Sequence, residues 1–276
     1  MKILKSPFVQ IVWYVVVFAL IQYVVSIAGI ILWQLSRGMS IELIIQNMLS
    51  GNMGDPMMYI LISVVSSILT ILVFALCKWC PISRDYLKSR PWVVLLWVVL
   101  LSIGTILPSE WLQETLDMSM PEVYTQMFQK IMSNRWGYIV VGILAPIAEE
   151  MVFRGAILRV LLRMFHSQWH WLAILLSTLL FGAIHGNLPQ FIHASLLGLL
   201  LGWLYYRSGS IIPGIVLHWV NNTVAYVAYN LMPWAADAKL IDLFGGNERT
   251  VWLSLLCSAC IFLPALFQLA VRMKKE

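Results

Sequence analysis

The sequence predicts an all-α, polytopic integral membrane protein, and three observations carry this prediction. The chain of 276 residues is 61% hydrophobic and only 11% charged, whereas soluble domains carry about 25% charged residues. The apolar residues fall into about eight runs that are long enough to cross a bilayer as helices. The basic residues stand mostly at the ends of these runs, so the net charge of +5 follows membrane topology and does not predict a nucleic-acid partner.

The predicted spans alternate between cytoplasmic and external connections. They cover approximately residues 8–34, 57–78, 91–108, 136–160, 169–187, 189–206, 209–231 and 251–271. When the N-terminus is placed inside, most of the 18 lysine and arginine residues face the cytoplasm, as the positive-inside rule requires. We therefore predict an N-in, C-in orientation.

The polar stretches between the spans are too short for a soluble domain, the longest being residues 35–56, 109–135 and 232–250. We divide the chain into residues 1–135, with three helices and an external amphipathic connector, a central core of residues 136–231, and residues 232–276, with an external loop and the last helix. Within the core, Ala194, Gly198 and Gly202 repeat every four residues. Such a ridge allows close helix packing within one chain or between two, so the oligomeric state stays open.

Two Cys-x-x-Cys pairs, Cys77/Cys80 and Cys257/Cys260, have a spacing that is also found in metal sites. The first pair lies at the cytoplasmic end of its predicted span, and the second lies well inside the last span. Because the depths do not match, we interpret the four cysteines as packing residues.

Two adjacent glutamates, Glu149 and Glu150, lie inside a predicted span, together with Arg154. Ionisable groups at this depth cost about 2.5–3.5 kcal/mol each on insertion scales, so they usually face a cavity and serve a function. Residues four apart lie about 40° apart around a helix, so Glu150 and Arg154 are expected to pair. Glu149 lies about 140° from Arg154. We expect it in the drier environment of the two, as the candidate general base. Pro146 predicts a kink just before the acids.

Polar residues on two further predicted spans favour a site over a purely structural ion-pair network. His185 ends one span, and His218 and Asn222 share one face of another. At 1.5 Å per residue, Glu149 and His218 both lie about 15 Å from the cytoplasmic edge, so the two side chains can meet. His185 lies about 9 Å further out by the same measure. His193 is interpreted as an interhelical hydrogen-bonding residue.

A carboxylate, two imidazoles and an amide are suited to the activation of water for attack on a carbonyl. In one version, Glu149 takes the proton and His185 shares the water, while His218 and Asn222 stabilise the oxyanion. In a second version, a divalent metal such as zinc lies between Glu149, His185 and His218 and lowers the pKa of bound water. The spacing does not distinguish these versions.

These motifs together resemble the CPBP family, also called the Abi family, which contains CaaX prenyl endopeptidases and bacteriocin-processing or self-immunity proteins. The motifs follow in order on successive predicted spans as Glu149-Glu150-x-x-x-Arg154, Phe181-x-x-x-His185 and His218-x-x-x-Asn222. The resemblance covers about residues 136–231. It implies an eight-helix intramembrane endopeptidase, either a metalloprotease or a metal-free enzyme that depends on glutamate, in the plasma membrane of a bacterium.

The resemblance also implies a role for each motif residue: water activation by Glu149 and His185, an oxyanion site from His218 and Asn222, and support of the site by Glu150 and Arg154. The expected substrate is a membrane-associated or lipidated protein or peptide, cut in CaaX-type, bacteriocin or signal-peptide processing. Two alternatives stay open: a proton- or cation-coupled transporter, and a non-proteolytic immunity or scaffold protein.

Overall fold

The computed structural model describes residues 6–50, 54–81, 83–235 and 238–273, and in these ranges the chain is helical and contains no strand. The all-α prediction is therefore confirmed for the described residues. The orientation prediction also uses lysines that lie outside them, namely Lys2, Lys5, Lys274 and Lys275.

Thirteen α-helices and two π-helical segments make up the described ranges, besides two short 3₁₀ turns. The α-helices are α1 (Pro7–Ser36), α2 (Ile41–Ser50), α3 (Pro56–Leu76), α4 (Arg84–Lys88), α5 (Trp92–Thr115), α6 (Glu122–Met132), α7 (Ala145–Glu150), α8 (Arg159–Met164), α9 (His170–Ala183), α10 (Leu188–Ser208), α11 (Ile212–Leu231), α12 (Leu240–Leu243) and α13 (Glu248–Arg272). The π-helical segments are π1 (Ile139–Leu144) and π2 (Met151–Leu158).

Five of the described helices are long and apolar enough to cross a membrane, namely α1, α3, α5, α10 and α13. Helix α9 has 14 residues and is about 21 Å long, which is shorter than a hydrocarbon core of about 30 Å. A polytopic helical protein is thus established, whereas the number of eight spans stays a prediction.

The start and the end of α10 follow from local sequence signals. The side chain of Asn187 accepts a hydrogen bond from the Gln190 N–H, and Pro189 stands in the first turn, where a missing N–H costs nothing. The helix ends at Gly209, whose φ of +65° suits glycine because it lacks a Cβ atom. These signals fix where α10 begins, directly after the turn that carries His185.

One continuous helical stretch, π1–α7–π2–α8, forms the centre of the molecule. All eight residues of π2 are buried, and the stretch packs against α1, α3, α9, α10 and α11. The sequence predicted a kink at Pro146, and π1 ends two residues before it, at Leu144. A π-helical turn accommodates the missing donor of a proline, and such turns are frequent at functional sites.

The small-residue ridge of α10 packs against α9 of the same chain. A Cβ added to Gly198 would meet Thr178, and one added to Gly202 would meet Ile174 at 2.7 Å. Of the two uses that the sequence left open, the structure therefore shows packing within one chain.

The connector between the third predicted span and the central core differs from its predicted extent. The span predicted for residues 91–108 continues through Pro108 to Thr115, because the residues that follow still suit a helix. The remainder of the connector contains the amphipathic helix α6.

Candidate active site

Glu150 and Arg154 form a buried ion pair inside the central stretch, as their spacing predicted. Nη1 of Arg154 donates to Oε1 of Glu150 at 2.8 Å, and the two side chains are 0–1% exposed. The guanidinium also lies over the ring of Phe181, with Cζ 4.3 Å from the ring centroid. A Cβ on Gly198 would come within 3.2 Å of the guanidinium, so this glycine gives it room.

The second oxygen of the Glu150 carboxylate faces α11. Among the described residues, no hydrogen-bond donor reaches Oε2 of Glu150. A Cβ added to Gly214 would collide with this oxygen. The absence of a side chain at Gly214 therefore allows the carboxylate to lie against α11.

His218 lies between the two glutamates. Its Nε2 atom is 3.8 Å from Oε2 of Glu149, and its Nδ1 atom is 3.6 Å from Oε1 of Glu150. The depth argument, which predicted that Glu149 and His218 can meet, is confirmed by the first distance. The contact with Glu150 was not predicted, although Gly214 and His218 are four apart on α11, and this small residue beside the histidine was a usable signal.

The prediction that Glu149 occupies the drier environment is wrong. The side chain of Glu149 is 19% exposed, whereas that of Glu150 is fully buried. The reason is that Glu150 points toward Arg154 and the bare backbone at Gly214, where α10 and α11 close over it. Glu149 keeps an accessible edge.

Phe181 joins the two histidines of the motifs. His185 lies in the turn after α9, and its ring meets Phe181 edge-on at 5.4 Å between centroids. The His218 ring meets the same phenyl ring at 5.9 Å. Nδ1 of His185 donates to the Phe181 carbonyl oxygen at 3.1 Å, which leaves Nε2 of His185 as the acceptor nitrogen of a neutral ring. Sequence reasoning used Phe181 only as a motif position and missed its contacts with both imidazoles and Arg154.

Asn222 contacts the central stretch through its side-chain amide. Its Nδ2 atom donates to the main-chain oxygen of Val141 in π1 at 2.9 Å. Its oxygen accepts from Nδ2 of Asn221 at 3.2 Å. The structure thus places Asn222 one turn beyond His218 on α11, with both of its polar atoms already bonded.

The predicted interhelical role of His193 is confirmed. Oγ of Ser109 in α5 and Nδ1 of His193 in α10 are 2.8 Å apart, and Gln113 approaches the same nitrogen at 3.4 Å.

The donors that were proposed for a metal do not converge in this arrangement. Among the described residues, no three histidine, cysteine, aspartate or glutamate side chains lie close enough to hold a metal ion. Glu149 and His218 approach one another to 3.8 Å, but Glu149 forms no ion pair with His185 among the described residues. The residues therefore do not fit the three-ligand zinc site.

The cysteines do not supply a metal site either. All four are free thiols, and only Cys80 is buried. Burial raises the pKa of the Cys80 thiol to about 12, which favours the neutral thiol. Cys80 packs against Gly155 of π2, where an added Cβ would collide with its sulfur. The interpretation of this residue as a packing residue agrees with these contacts.

Part of the chain that contains this site is similar to known proteins. Residues 131–224 match the family described as Type II CAAX prenyl endopeptidase Rce1-like. An Escherichia coli protein described as "Uncharacterized 24.3 kDa protein" is 31% identical over 140 residues, which cover 48% of this chain and 58% of that relative. No solved structure matches the chain. The matched segment contains all three motifs, so residues 131–224 are similar to the type II CAAX prenyl endopeptidase Rce1-like family.

Proposed function

We propose that this protein is an intramembrane endopeptidase that hydrolyses a peptide bond in a membrane-associated or lipidated protein or peptide. The observation that carries the proposal is the contrast within the glutamate pair. Glu150 is neutralised by Arg154 at 2.8 Å, while the partly exposed Glu149 lies 3.8 Å from Nε2 of His218. A carboxylate that keeps an accessible edge beside an imidazole is the arrangement that activation of a water molecule needs.

The reaction uses this chain's own side chains. Glu149 takes a proton from the attacking water, and the water oxygen bonds to the scissile carbonyl carbon. The carbonyl oxygen becomes an oxyanion, which the His218 imidazole stabilises by donating a hydrogen bond. The carbon–nitrogen bond then breaks, and Glu149 returns the proton to the leaving nitrogen. His185 accepts a hydrogen bond from the same water through its Nε2 atom.

No step of this proposal runs through a metal ion, because Glu149, His185 and His218 do not form a three-ligand set. A chelator titration tests this choice: activity that survives chelation and is not stimulated by added Zn²⁺ supports it. Loss of activity on chelation, with recovery on addition of Zn²⁺, would require His185 to move toward Glu149 and would replace the metal-free route.

The substrate and the topology belong to the same proposal. The family description favours a prenylated peptide of the CaaX type over other lipidated peptides. We place the reaction in residues 136–231 of an eight-span, N-in, C-in protein of a bacterial plasma membrane. Residues 1–135 and 232–276 then flank this core. Reporter fusions in the loops check the orientation.

The experiment uses the full chain in proteoliposomes with three peptides: a prenylated CaaX peptide, its unprenylated form and a signal peptide. Products are identified by mass spectrometry for the natural chain, for Glu149→Ala and for a matched control, Glu122→Gln in the external helix α6. We expect cleavage by the natural chain and the control and none by Glu149→Ala. Equal cleavage by Glu149→Ala would falsify the role of Glu149. Proton-coupled flux without cleavage would favour the transporter alternative.

A further inference from the structure

Pro146 leaves one main-chain carbonyl of π1 without its expected partner. At the end of π1, the Ala145 N–H donates to the Val140 carbonyl, five residues back. In the same register, the Val141 carbonyl would bond to the N–H of residue 146, but proline carries no N–H. Nδ2 of Asn222 donates to this carbonyl at 2.9 Å. The side chain of α11 thus replaces the main-chain donor that Pro146 lacks.

Asn222 is the first of three such donors on one face of α11. The Tyr226 hydroxyl donates to the main-chain oxygen of Asn134 at 2.8 Å, and Nδ2 of Asn230 donates to that of Met132 at 3.0 Å. The three residues are spaced by four, so they lie above one another on the helix. We call Asn222, Tyr226 and Asn230 the amide–hydroxyl ladder.

The ladder continues the face of α11 that carries His218. His218 stands four residues before Asn222, and the carbonyls that the ladder binds belong to the chain that leads into the helix of Glu149. Three bonds to main-chain atoms fix the lengthwise register of α11 against this chain. A slip along the helix axis would separate Nε2 of His218 from Oε2 of Glu149, which now lie 3.8 Å apart.

We infer that Asn222 is a positioning residue, which binds the Val141 carbonyl left free by Pro146 and, with Tyr226 and Asn230, sets the register that brings His218 to Glu149. The catalytic importance of bringing His218 to Glu149 rests on the proposed function, whereas the bond between Asn222 and Val141 is independent of that function. The amide has two N–H groups. The test therefore separates positioning from direct donation to an oxyanion.

A double-mutant cycle in the full chain makes this separation. Asn222→Ala, Pro146→Ala and the double variant are purified in detergent, and Tm and kcat/KM are measured for each. Pro146→Ala supplies a main-chain N–H, which can take over the Val141 carbonyl. We expect Asn222→Ala to lower Tm by about 2–4 °C in the natural background, as the loss of one hydrogen bond requires. In the Pro146→Ala background we expect at most half of this loss, on both Tm and kcat/KM.

An oxyanion donor predicts the opposite pattern: an unchanged Tm and the same fold loss of kcat/KM in both backgrounds. That result would overturn the inference. If no peptide is cleaved by any variant, the proposed function fails, but the Tm cycle still tests the bond. If Pro146→Ala does not fold, Tyr226→Phe decides, with Tyr229→Phe on the same helix as its matched control. A lower Tm with a lower kcat at constant KM, in Tyr226→Phe alone, supports positioning, and equal behaviour of the two variants contradicts it.

Discussion

The two halves of the glutamate pair are built from the same side chain and the same helix, yet their surroundings are opposite. Glu150 is fully buried, bonds Arg154 at 2.8 Å and lies against the bare backbone of Gly214. Glu149 is 19% exposed, and its close ionisable contact is His218 at 3.8 Å. One residue of helical rotation thus separates a carboxylate with a fixed counter-ion from one that keeps room for a proton transfer.

The different surroundings of Glu149 and Glu150 allow the two glutamates to have different roles. The buried Glu150–Arg154 pair is electrically compensated, and its guanidinium is further held over the Phe181 ring. His218 contacts both carboxylates. The compensated glutamate packs beside the imidazole, while the accessible glutamate is left available for the proton transfer that we propose.

Glu149→Gln gives the largest expected effect, because it removes the base and keeps the shape. We expect kcat to fall by about 10²–10⁴-fold, the usual contribution of a general base, with little change in Tm, since the accessible edge of Glu149 is not part of the core. Peptide cleavage assays and thermal unfolding in detergent give both values. A large loss of Tm without loss of cleavage would reverse the roles assigned to the two glutamates.

Glu150→Gln is expected to act on stability instead. It leaves the Arg154 guanidinium as a buried charge without its counter-ion, which costs about 3–5 kcal/mol of unfolding free energy. The matched control is the double variant Glu150→Leu with Arg154→Met, which removes both charges at similar volume and should recover most of the loss. If the double variant is as unstable as Glu150→Gln, the pair contributes more than charge compensation.

Part of this division could be predicted from the sequence. The spacing of Glu150 and Arg154 predicted their pairing, and equal depth predicted the meeting of Glu149 with His218, because both arguments need only helix geometry. The relative burial of Glu149 and Glu150 depends on which neighbouring helices pack against each carboxylate. The angle of Glu149 from Arg154 around the helix axis does not tell which helices these are. The bond of Asn222 to Val141 depends on the π-helical register of π1, and π-helical turns are so rare and so short that the sequence pattern did not reveal this one.

The same limit applies to the fold. Apolar runs located the long helices α1, α3, α5, α10 and α13, which are long and apolar enough to cross a membrane. The central stretch is harder to place, since its four segments alternate between π and α geometry. Its packing partners come from both sides in sequence, which only the folded chain brings together.

Gly214→Ala tests whether Glu150 needs the space that this glycine of α11 leaves. The added methyl group would collide with Oε2 of Glu150, and overpacking of this kind costs about 1–3 kcal/mol. We expect lower Tm together with lower kcat, because the carboxylate that moves also contacts His218. The control is Gly29→Ala in α1, whose methyl group would collide with Cγ1 of Ile62 at 2.5 Å, so it should also lower Tm but leave kcat unchanged. An unaltered Tm in Gly214→Ala would mean that Glu150 has space to move.

Phe181→Leu gives the smallest expected effect, but it changes the surroundings of both the Glu150–Arg154 pair and the two histidines. The ring carries the Arg154 guanidinium on its face, so its removal should cost about 1–2 kcal/mol of stability through the lost cation–π contact. The same ring packs edge-on against His185 and His218, so kcat should fall as the two imidazoles lose their shared support. Phe18→Leu is the matched control, because Phe18 is buried against Phe153 and should lower Tm without lowering kcat. If both variants lower only Tm, the phenyl ring supports the ion pair alone. The position of His218 beside Glu149 would then depend on α11 and not on Phe181. The surroundings of Glu149 and Glu150 would in that case be more independent of each other than their shared neighbour Phe181 indicates.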